Sequence, residues 1–262
     1  MLDYTRFDTI LAEAAKIAMS EFPGIGNSTI SWRKEDDTPV SAADLAVNRF
    51  LHESLGDLLP AAGWLSEETA DDPARVKDGL IWLVDPIDGT RDFVRGRPGW
   101  AISIALISNG RPLIARLVAP ARSEVWAAEA GKGARRNGVR LQASSRSTFT
   151  GARIPADAQM ALPPLVNVEK PNSIALRIAL VASGEADIAA STRLGYEWDI
   201  GAAALIAREA GARVTDAQGA PLAFNKRDPR ALGVLATAPA IHADATDWLA
   251  EIGKKLGGRT AG

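Results

Sequence analysis

Apolar residues recur at helical spacing near the start of the chain. Between residues 4 and 21 the apolar positions are Phe7, Ile10, Leu11, Ala14, Ile17 and Ala18. This spacing predicts an amphipathic helix, which Pro23 ends. A second helix is predicted from the N-cap Ser41 to Leu59, because Asp44 at the third helical position completes a capping-box-like arrangement.

Short apolar runs then predict strands of a sheet. The runs are LIWLVD at 80–85, WAISIALI at 100–107, RPLIARLVAP at 111–120 and SEVWAAEA at 123–130. The last two read as a hairpin pair, and Asn-Gly at 109–110 and at 137–138 marks tight turns. The first half is therefore predicted to be two helices laid over an antiparallel sheet.

Helical and strand patterns alternate from about residue 148 onwards. Helices are predicted at 173–184, at 198–212 with Gly211 as the C-cap, and at 241–256, with strands at 186–191 and 232–238. Such alternation indicates an α/β layer, and the overall fold class is α/β (α+β). The predicted domain boundary lies near residue 148, between subdomains 1–147 and 148–262.

Composition and charge exclude several classes of function. The chain has 262 residues, 47% of them hydrophobic, a net charge of -2 and no cysteine. Thiolate nucleophiles, disulfides and thiolate zinc sites are thus excluded, and the acidic balance predicts no nucleic-acid partner. His52 and His242, the two histidines, lie in no catalytic-looking context. Neither a signal peptide nor an apolar run of about 18 residues is found, so we expect no membrane partner and a cytoplasmic location.

The stretch LVDPIDGTRDF at 83–93 carries the strongest chemical signal. If a strand ends at Asp85 and Pro86 turns the chain, Asp85, Asp88 and the Ile87 carbonyl share one rim. Hard oxygen ligands of this kind suit Mg²⁺, with Mn²⁺ as a substitute. A simpler interpretation of the same residues is an Asx-type turn.

The two residues that follow suit a phosphate group. Gly89 lets the backbone approach a ligand closely, and Thr90 opens a short predicted helix whose free amides bind phosphate well.

Other acidic residues gain meaning only in combination with this stretch. Alone, Glu67 reads as a solvated surface acid, Asp199 as a helix cap and Asp44 as first-turn helix charge. If Glu67 and Asp199 join Asp85 and Asp88 in one cleft, the four carboxylates repel one another unless cations lie among them. Two or three divalent ions would resolve the conflict, clamp a phosphoryl group and activate water.

Motifs along most of the chain resemble one family. They are SEE at 66–68, DPIDGTRDF at 85–93, EWDIGAAALIAREAG at 197–211 and, more loosely, TPVSAAD at 38–44, WAISIAL at 100–106 and GKGARRNG at 131–138. In this order, from about residue 4 to about residue 250, the chain resembles the inositol monophosphatase superfamily of lithium-sensitive, Mg²⁺-dependent phosphatases. The resemblance implies the layered αβαβα sandwich shared with fructose-1,6-bisphosphatase, a metal-dependent phosphoric monoester hydrolase and a homodimer.

The resemblance also implies a role for each matching residue. Glu67, Asp85 and the Ile87 carbonyl would hold one ion, and Asp85, Asp88 and Asp199 another. Thr90, hydrogen-bonded to Asp44, would orient and deprotonate the attacking water, with Glu67 also in the catalytic set.

Substrate and subdomain roles follow from the same likeness. The Gly89 and Thr90 amides would contact the phosphate, with Asp88 and Asp199 also next to the substrate. Lys34 would be a basic position near the site. Subdomain 1–147 would carry most metal ligands, and subdomain 148–262 would supply Asp199 and the substrate contacts.

Two departures bear on the substrate. Inositol phosphatases of this family carry glutamate seven residues before the aspartate of the WD pair, whereas this chain has Thr192 followed by Arg193. Asn172-Ser173 followed by Arg177 resembles the GSxxxK-like stretch of the 3'(2'),5'-bisphosphate nucleotidases, and the DPIDGTRDF and YEWD forms resemble that branch too. In that case Arg177 and Arg193 would read a second phosphate or the base. Both arginines also read as ordinary surface or packing residues.

Alternatives to a nucleotidase remain open. They are an inositol-1-monophosphatase, another sugar or histidinol phosphate phosphatase and, more remotely, a non-catalytic interaction protein on the same fold. Each phosphatase alternative takes a small phosphorylated metabolite as substrate.

Overall fold

The helices begin and end close to the predicted positions. The structure is a computed structural model that describes residues 2–33, 39–77, 79–157 and 164–257. Its α-helices are α1 (Tyr4–Glu21), α2 (Ala42–Leu58), α3 (Thr90–Val94), α4 (Ile174–Ala182), α5 (Glu197–Glu209) and α6 (His242–Gly257).

The strands form one large sheet and several smaller ones. The large sheet has the order β3 (Gly63–Ser66), β4 (Leu80–Asp88), β5 (Ala101–Ser108), β6 (Arg111–Ala119), β7 (Glu124–Glu129), β8 (Gly133–Arg136) and β9 (Val139–Arg140). A second sheet has the order β12 (Ile188–Ser191), β16 (Val234–Thr237) and β14 (Arg213–Thr215). Short pairs join β1 (Trp32–Arg33) to β2 (Pro39–Val40), β10 (Arg153–Ile154) to β11 (Val166–Asn167) and β13 (Gly195–Tyr196) to β15 (Arg230–Ala231).

The large sheet is mixed, which corrects the prediction of a purely antiparallel sheet. Every neighbouring pair from β4 to β9 is antiparallel, but β3 runs parallel to β4. The stretch WLSEETADD at 64–72 is predicted from the sequence to be a loop, and this prediction is wrong for its first residues, because a four-residue strand is too short to show a period. This parallel pair brings the carboxyl ends of two strands to the same edge of the sheet.

Alternating residues of β4 show how the sheet is covered on both faces. Trp82 and Val84 pack into one apolar cluster with α1 and α2, whereas Ile81 and Leu83 pack into another with α4 and α5. Successive side chains of a strand point to opposite faces, so a strand covered on both faces reads as a continuous apolar run. This explains why LIWLV shows no polar alternation.

The second sheet repeats this arrangement on the far side of α4 and α5. Ala189 and Ala236 join the cluster around α4 and α5, whereas Ile188 and Leu235 join a third cluster with α6. The layers are therefore α1 and α2, the large sheet, α4 and α5, the antiparallel second sheet, and α6. The αβαβα sandwich implied by the resemblance is confirmed, and the core around α4 and α5 draws residues from both sides of position 148.

The end of β4 is irregular where a regular end was expected. Asp85 pairs with Ser103 and Asp88 with Ala101, so three steps along β4 match two along β5. The strand thus continues through the Asp-Pro-Ile-Asp stretch and does not end at Asp85. Residues three apart point to opposite faces of a regular strand, and the extra residue of a β-bulge removes this conflict.

A glycine sets the distance between α5 and the large sheet. A Cβ atom on Gly201 would lie 2.5 Å from Cδ2 of Leu83 on β4, closer than carbon atoms pack. Because α5 can approach the sheet here, its N-terminal turn reaches the end of β4.

Candidate active site

Glu67 is placed by the parallel pair of strands. It follows β3 directly, and its backbone N–H donates to the carbonyl oxygen of Val84, 3.3 Å away. Val84 immediately precedes Asp85, so Glu67 after the end of β3 lies next to Asp85 within β4. The prediction that Glu67 lies beside the Asp85 rim thus has its structural cause in β3, which the sequence analysis did not find.

Asp85 and Asp88 are buried and held by backbone donors. The Ile87 N–H donates to Oδ1 of Asp85 over 3.0 Å, which is the Asx-type contact of the simpler interpretation. Asp88 Oδ2 accepts the Ser173 hydroxyl and the Ala175 N–H, the latter over 2.8 Å. The N-terminal turn of α4 therefore fixes Asp88 from a site 87 residues along the chain.

The Gly-Thr pair after Asp88 requires a special backbone and makes a buried hydroxyl contact. Gly89 has φ of 95°, and a Cβ atom there would lie 2.8 Å from the Gly99 carbonyl oxygen. Only glycine fits such a left-handed, crowded position. Thr90 Oγ1 lies 3.3 Å from Oδ1 of Asp44 and 3.1 Å from the Ile87 carbonyl oxygen, and it can donate to either.

Asp44 lies behind Thr90, at the start of α2. Its Oδ2 accepts the backbone N–H of Ser41 over 2.8 Å and the Ser41 hydroxyl over 2.7 Å, so its helix-start role is real. Burial raises the pKa of Asp44 to about 7, against the opposing hydrogen bonds from Ser41. A carboxylate with a pKa near neutral and one oxygen close to a hydroxyl has the properties of a general base.

One cleft brings the predicted acidic residues together. A cavity of about 210 Å³ is lined by Glu67, Asp85, Ile87, Asp88, Gly89, Thr90, Arg91, Asn172, Ile174 and Asp199. Asp199 also accepts the Tyr196 N–H over 2.9 Å, so it caps α5 and lines the cleft at once. The capping interpretation is therefore correct, and the residue also lies in the cleft where a functional role would require it.

The electrostatics of the cleft are those of crowded anions. Burial, followed by the charges of its acidic neighbours, holds the pKa of Asp85 well above its ordinary value; those neighbours are Glu67, Asp88, Asp199 and Asp44. Burial raises the pKa of Asp88 to about 6, although hydrogen bonds from Ser173 and Ala175 oppose the shift. Carboxylates in this state are stabilised by a cation placed among them.

The donor chemistry of the cleft fits a hard divalent ion. Its walls carry carboxylates and the Ile87 carbonyl, which suit Mg²⁺. Within the described ranges, no group of three acidic or histidine side chains is close enough together to coordinate one metal ion. The fit to a metal therefore rests on the crowded carboxylates, their raised pKa values and the oxygen-only donor set.

A second cavity adjoins the cleft and is rich in arginine. Its volume is about 250 Å³, and it shares Arg91, Asn172, Ile174 and Asp199 with the cleft. Arg177, Arg193 and Tyr196 lie on its remaining walls. The predicted substrate contacts Arg177 and Arg193 are thus next to the carboxylates.

Ser173 does not face either cavity, which corrects its interpretation as a substrate contact. Its side chain is 0% exposed. The hydroxyl donates to Asp88 and accepts the Leu176 N–H over 2.9 Å as the N-cap of α4. Ser173 is therefore a positioning residue behind Asp88.

Three residues of the site belong to motifs identified in the sequence but were given no individual role there. Arg91, Asn172 and Tyr196 all line the arginine-rich cavity. Arg91 stands inside the DPIDGTRDF motif, and this adjacency was the signal that could have found it. Lys34, implied as a basic position by the resemblance, lies outside the described residues.

Thr192 lies apart from both cavities of the site. It lines a separate groove beside α6, together with Leu249. The position that the resemblance associates with inositol recognition thus faces another surface here.

Comparison with known proteins gives consistent relatives. The chain is 34% identical over 206 residues to the 3'(2'),5'-bisphosphate nucleotidase CysQ of Escherichia coli K12, covering 74% of this chain and 83% of that protein. It is 36% identical over 203 residues to the histidinol-phosphatase of Mycobacterium tuberculosis H37Rv, covering 71% and 77%. A solved IMPase of Thermotoga maritima superposes with a TM-score of 0.82 at 24% identity, covering 95% of this chain and 96% of that one.

No helix in the described ranges is long and apolar enough to cross a membrane.

The match to the family extends over nearly the whole chain. The relatives carry phosphatase names, so the protein is an enzyme that hydrolyses phosphoric monoesters. The model of the inositol monophosphatase family matches residues 3–254, and the chain belongs to that family.

Proposed function

We propose that this enzyme is a Mg²⁺-dependent phosphomonoesterase whose substrate carries a second anionic group, with a 3'(2'),5'-bisphosphate nucleotide as the best candidate. One observation supports this proposal above others: the carboxylate cleft shares a wall with a cavity lined by three arginines. A small metabolite with two phosphates would place one group in each.

Each residue of the cleft has a proposed role in the hydrolysis. Two or three Mg²⁺ ions would be held by Glu67, Asp85, the Ile87 carbonyl, Asp88 and Asp199. Bound there, Mg²⁺ supplies Lewis-acid stabilisation of the phosphoryl oxygens and lowers the pKa of water. Mn²⁺ is the expected substitute.

The protein itself moves the proton and orients the phosphate. Thr90 Oγ1 accepts the proton of the attacking water while its own proton passes to Oδ1 of Asp44, 3.3 Å away. Glu67 orients that water, and the backbone amides of Gly89 and Thr90 hold the phosphate oxygens.

The alternative substrates differ in charge, which makes them separable. Histidinol phosphate carries an ammonium group, and inositol 1-phosphate carries only neutral hydroxyls beside its phosphate. Arg91, Arg177 and Arg193 repel a cation and attract an anion in the adjoining cavity. Similarity to a histidinol-phosphatase keeps that substrate in the comparison, since the Tyr196 ring suits an imidazole as well as a purine.

A substrate panel tests the proposed class. Steady-state kinetics would compare 3'-phosphoadenosine 5'-phosphate, inositol 1-phosphate, fructose 1,6-bisphosphate and histidinol phosphate. We expect the bisphosphate nucleotide to lead by at least about tenfold in kcat/KM, or about 1.4 kcal/mol of transition-state stabilisation. A lead of that size for histidinol phosphate or inositol 1-phosphate would reject the nucleotidase.

Metal removal tests the mechanism independently of the substrate. Hydrolysis should stop in chelator, return with Mg²⁺ and be blocked by Asp88→Asn; Li⁺ should inhibit. Full activity in chelator would reject the metal mechanism.

A further inference from the structure

Arg91 occupies the boundary between the two cavities. It is the second residue of α3, and it lies between Thr90 and Asp92, whose side chains are buried. Arg91 is exposed and lines both the carboxylate cleft and the arginine-rich cavity. The short helix thus places a cation among the residues that the two cavities share.

The neighbours of Arg91 are engaged in holding the site, whereas Arg91 is not. The Thr90 hydroxyl contacts Asp44 and Ile87, and the Asp92 carboxylate accepts the Asn172 N–H over 2.9 Å. Within the described part of the chain, the Arg91 side chain makes no hydrogen bond or ion pair. Its guanidinium donors are therefore available to a ligand.

The other two arginines of the cavity differ from Arg91 in this respect. Arg177 donates Nε to the Pro171 carbonyl over 2.8 Å and Nη2 to the Asn172 carbonyl over 2.7 Å, so it holds the loop before α4. Burial also lowers the pKa of Arg177. Arg193 is exposed on the loop after β12. It lines the arginine-rich cavity but not the carboxylate cleft.

We infer that Arg91 is a specificity-determining residue that binds the second anionic group of the substrate, an inference that rests on the proposed function. A guanidinium presents a planar fork of donors that matches two phosphate oxygens at once. From the boundary, Arg91 contacts the second phosphate while the first lies among the carboxylates and their ions. Arg193 assists from the far wall, and Arg177 keeps the loop in place.

A competing role for Arg91 is that of counter-charge to the acidic cleft. Removing a cation that only balances the carboxylates would strengthen Mg²⁺ binding and change all substrates alike. Removing a cation that binds the second phosphate would lower activity selectively on substrates that carry one.

The experiment compares two substrates that differ only in that group. Arg91→Gln would be assayed with 3'-phosphoadenosine 5'-phosphate and with adenosine 3'-phosphate, over a range of Mg²⁺ concentrations. The loss in kcat/KM should be at least about tenfold greater for the bisphosphate than for the monophosphate. Arg91→Lys should recover part of the difference, because lysine keeps the charge without the planar fork.

Arg95→Gln is the matched control for the change in charge. Arg95 is exposed at the C-terminal end of the same helix and lines neither cavity. It should retain the wild-type ratio between the two substrates. Calorimetric binding of the bisphosphate in chelator, where no turnover occurs, should show weaker affinity for Arg91→Gln only.

The outcomes separate this inference from the proposed function. If the wild-type enzyme does not prefer the bisphosphate, the nucleotidase fails and the role of Arg91 falls with it. If the wild type does prefer it but Arg91→Gln keeps the preference, the role of Arg91 alone is rejected. Equal losses on both substrates, or an altered Mg²⁺ requirement without altered selectivity, would assign Arg91 to the cleft and overturn the inference.

Discussion

Two aspartates that are almost inaccessible to solvent have pKa values shifted in opposite directions in this protein. Asp85 in the cleft is 2% exposed and Asp187, just before β12, is 1% exposed. Burial and acidic neighbours raise the pKa of Asp85. Burial also acts to raise the pKa of Asp187, but hydrogen bonds from Arg153 and Ser144 outweigh it and lower that pKa to about 2.

The two sites differ in depth and in hydrogen-bond partners: Asp85 is surrounded by more of the protein, and it accepts the Ile87 N–H over 3.0 Å. Arg153 donates to Asp187 from its backbone N–H, Nε and Nη2, over 2.9, 2.9 and 2.8 Å, and Ser144 donates over 2.6 Å. Asp85, by contrast, has other anions for neighbours. A buried carboxylate that the protein satisfies is structural, whereas one whose neighbours are also acids calls for a ligand to complete it.

The largest expected effect is on catalysis at Asp85. Asp85→Asn should lower kcat/KM at least about a hundredfold, because even the partners of metal ligands contribute about 10- to 100-fold. Without metal, its unfolding midpoint should not fall, since the substitution removes a repelled buried charge. Calorimetry in chelator and kinetics in Mg²⁺ measure the two; a large loss of metal-free stability would break the comparison.

Asp187→Asn is the matched substitution at the other aspartate. It should lower the free energy of unfolding by about 2–3 kcal/mol, because Arg153 loses the negative charge of its partner and keeps only neutral acceptors such as the Gly184 carbonyl. The Arg153 side chain is 38% exposed, so the loss should stay below that of a fully buried pair. Denaturant unfolding gives the stability, and activity per folded molecule should match the wild type.

Mg²⁺ binding should also distinguish the two aspartates, through a smaller change in the free energy of unfolding. Mg²⁺ at ten times its dissociation constant should stabilise the wild type and Asp187→Asn by about 1.4 kcal/mol, as expected for a ligand that binds only the folded state. Asp85→Asn should show little of this stabilisation. An equal rise in midpoint for all three proteins would place the ion elsewhere.

A further expected effect is a convergence of the two stabilities at low pH. The folded-state pKa of Asp187, about 2, is below the ordinary 3.8, so its stabilising contribution is complete above pH 3.8 and is lost as the pH falls towards 2. The stability difference between wild type and Asp187→Asn should therefore shrink between about pH 4 and pH 2. Urea titrations at successive pH values test this, and a constant difference would contradict the assignment.

Local signals predicted the catalytic half of the site better than its surroundings. The capping pair Ser41 and Asp44 depends on neighbouring residues, so the sequence contains it, whereas the left-handed backbone at Gly89 was not predicted. The missed strand β3 and the buried Ser173 depend on contacts with distant segments. The difference between Arg91 and Arg177 likewise arises from tertiary hydrogen bonds, which composition and periodicity do not encode.

The bulge at Pro86–Ile87 has a further consequence for how this enzyme can evolve. A regular ladder through this segment with no residue removed would pair β4 continuously with β5, but residues three apart on a regular strand point to opposite faces, so Asp88 would turn away from Asp85. Selection for thermostability and selection for turnover therefore pull this one backbone segment in opposite directions. Substitutions meant to raise thermal stability should therefore avoid this bulge and be placed in the outer layers of the sandwich.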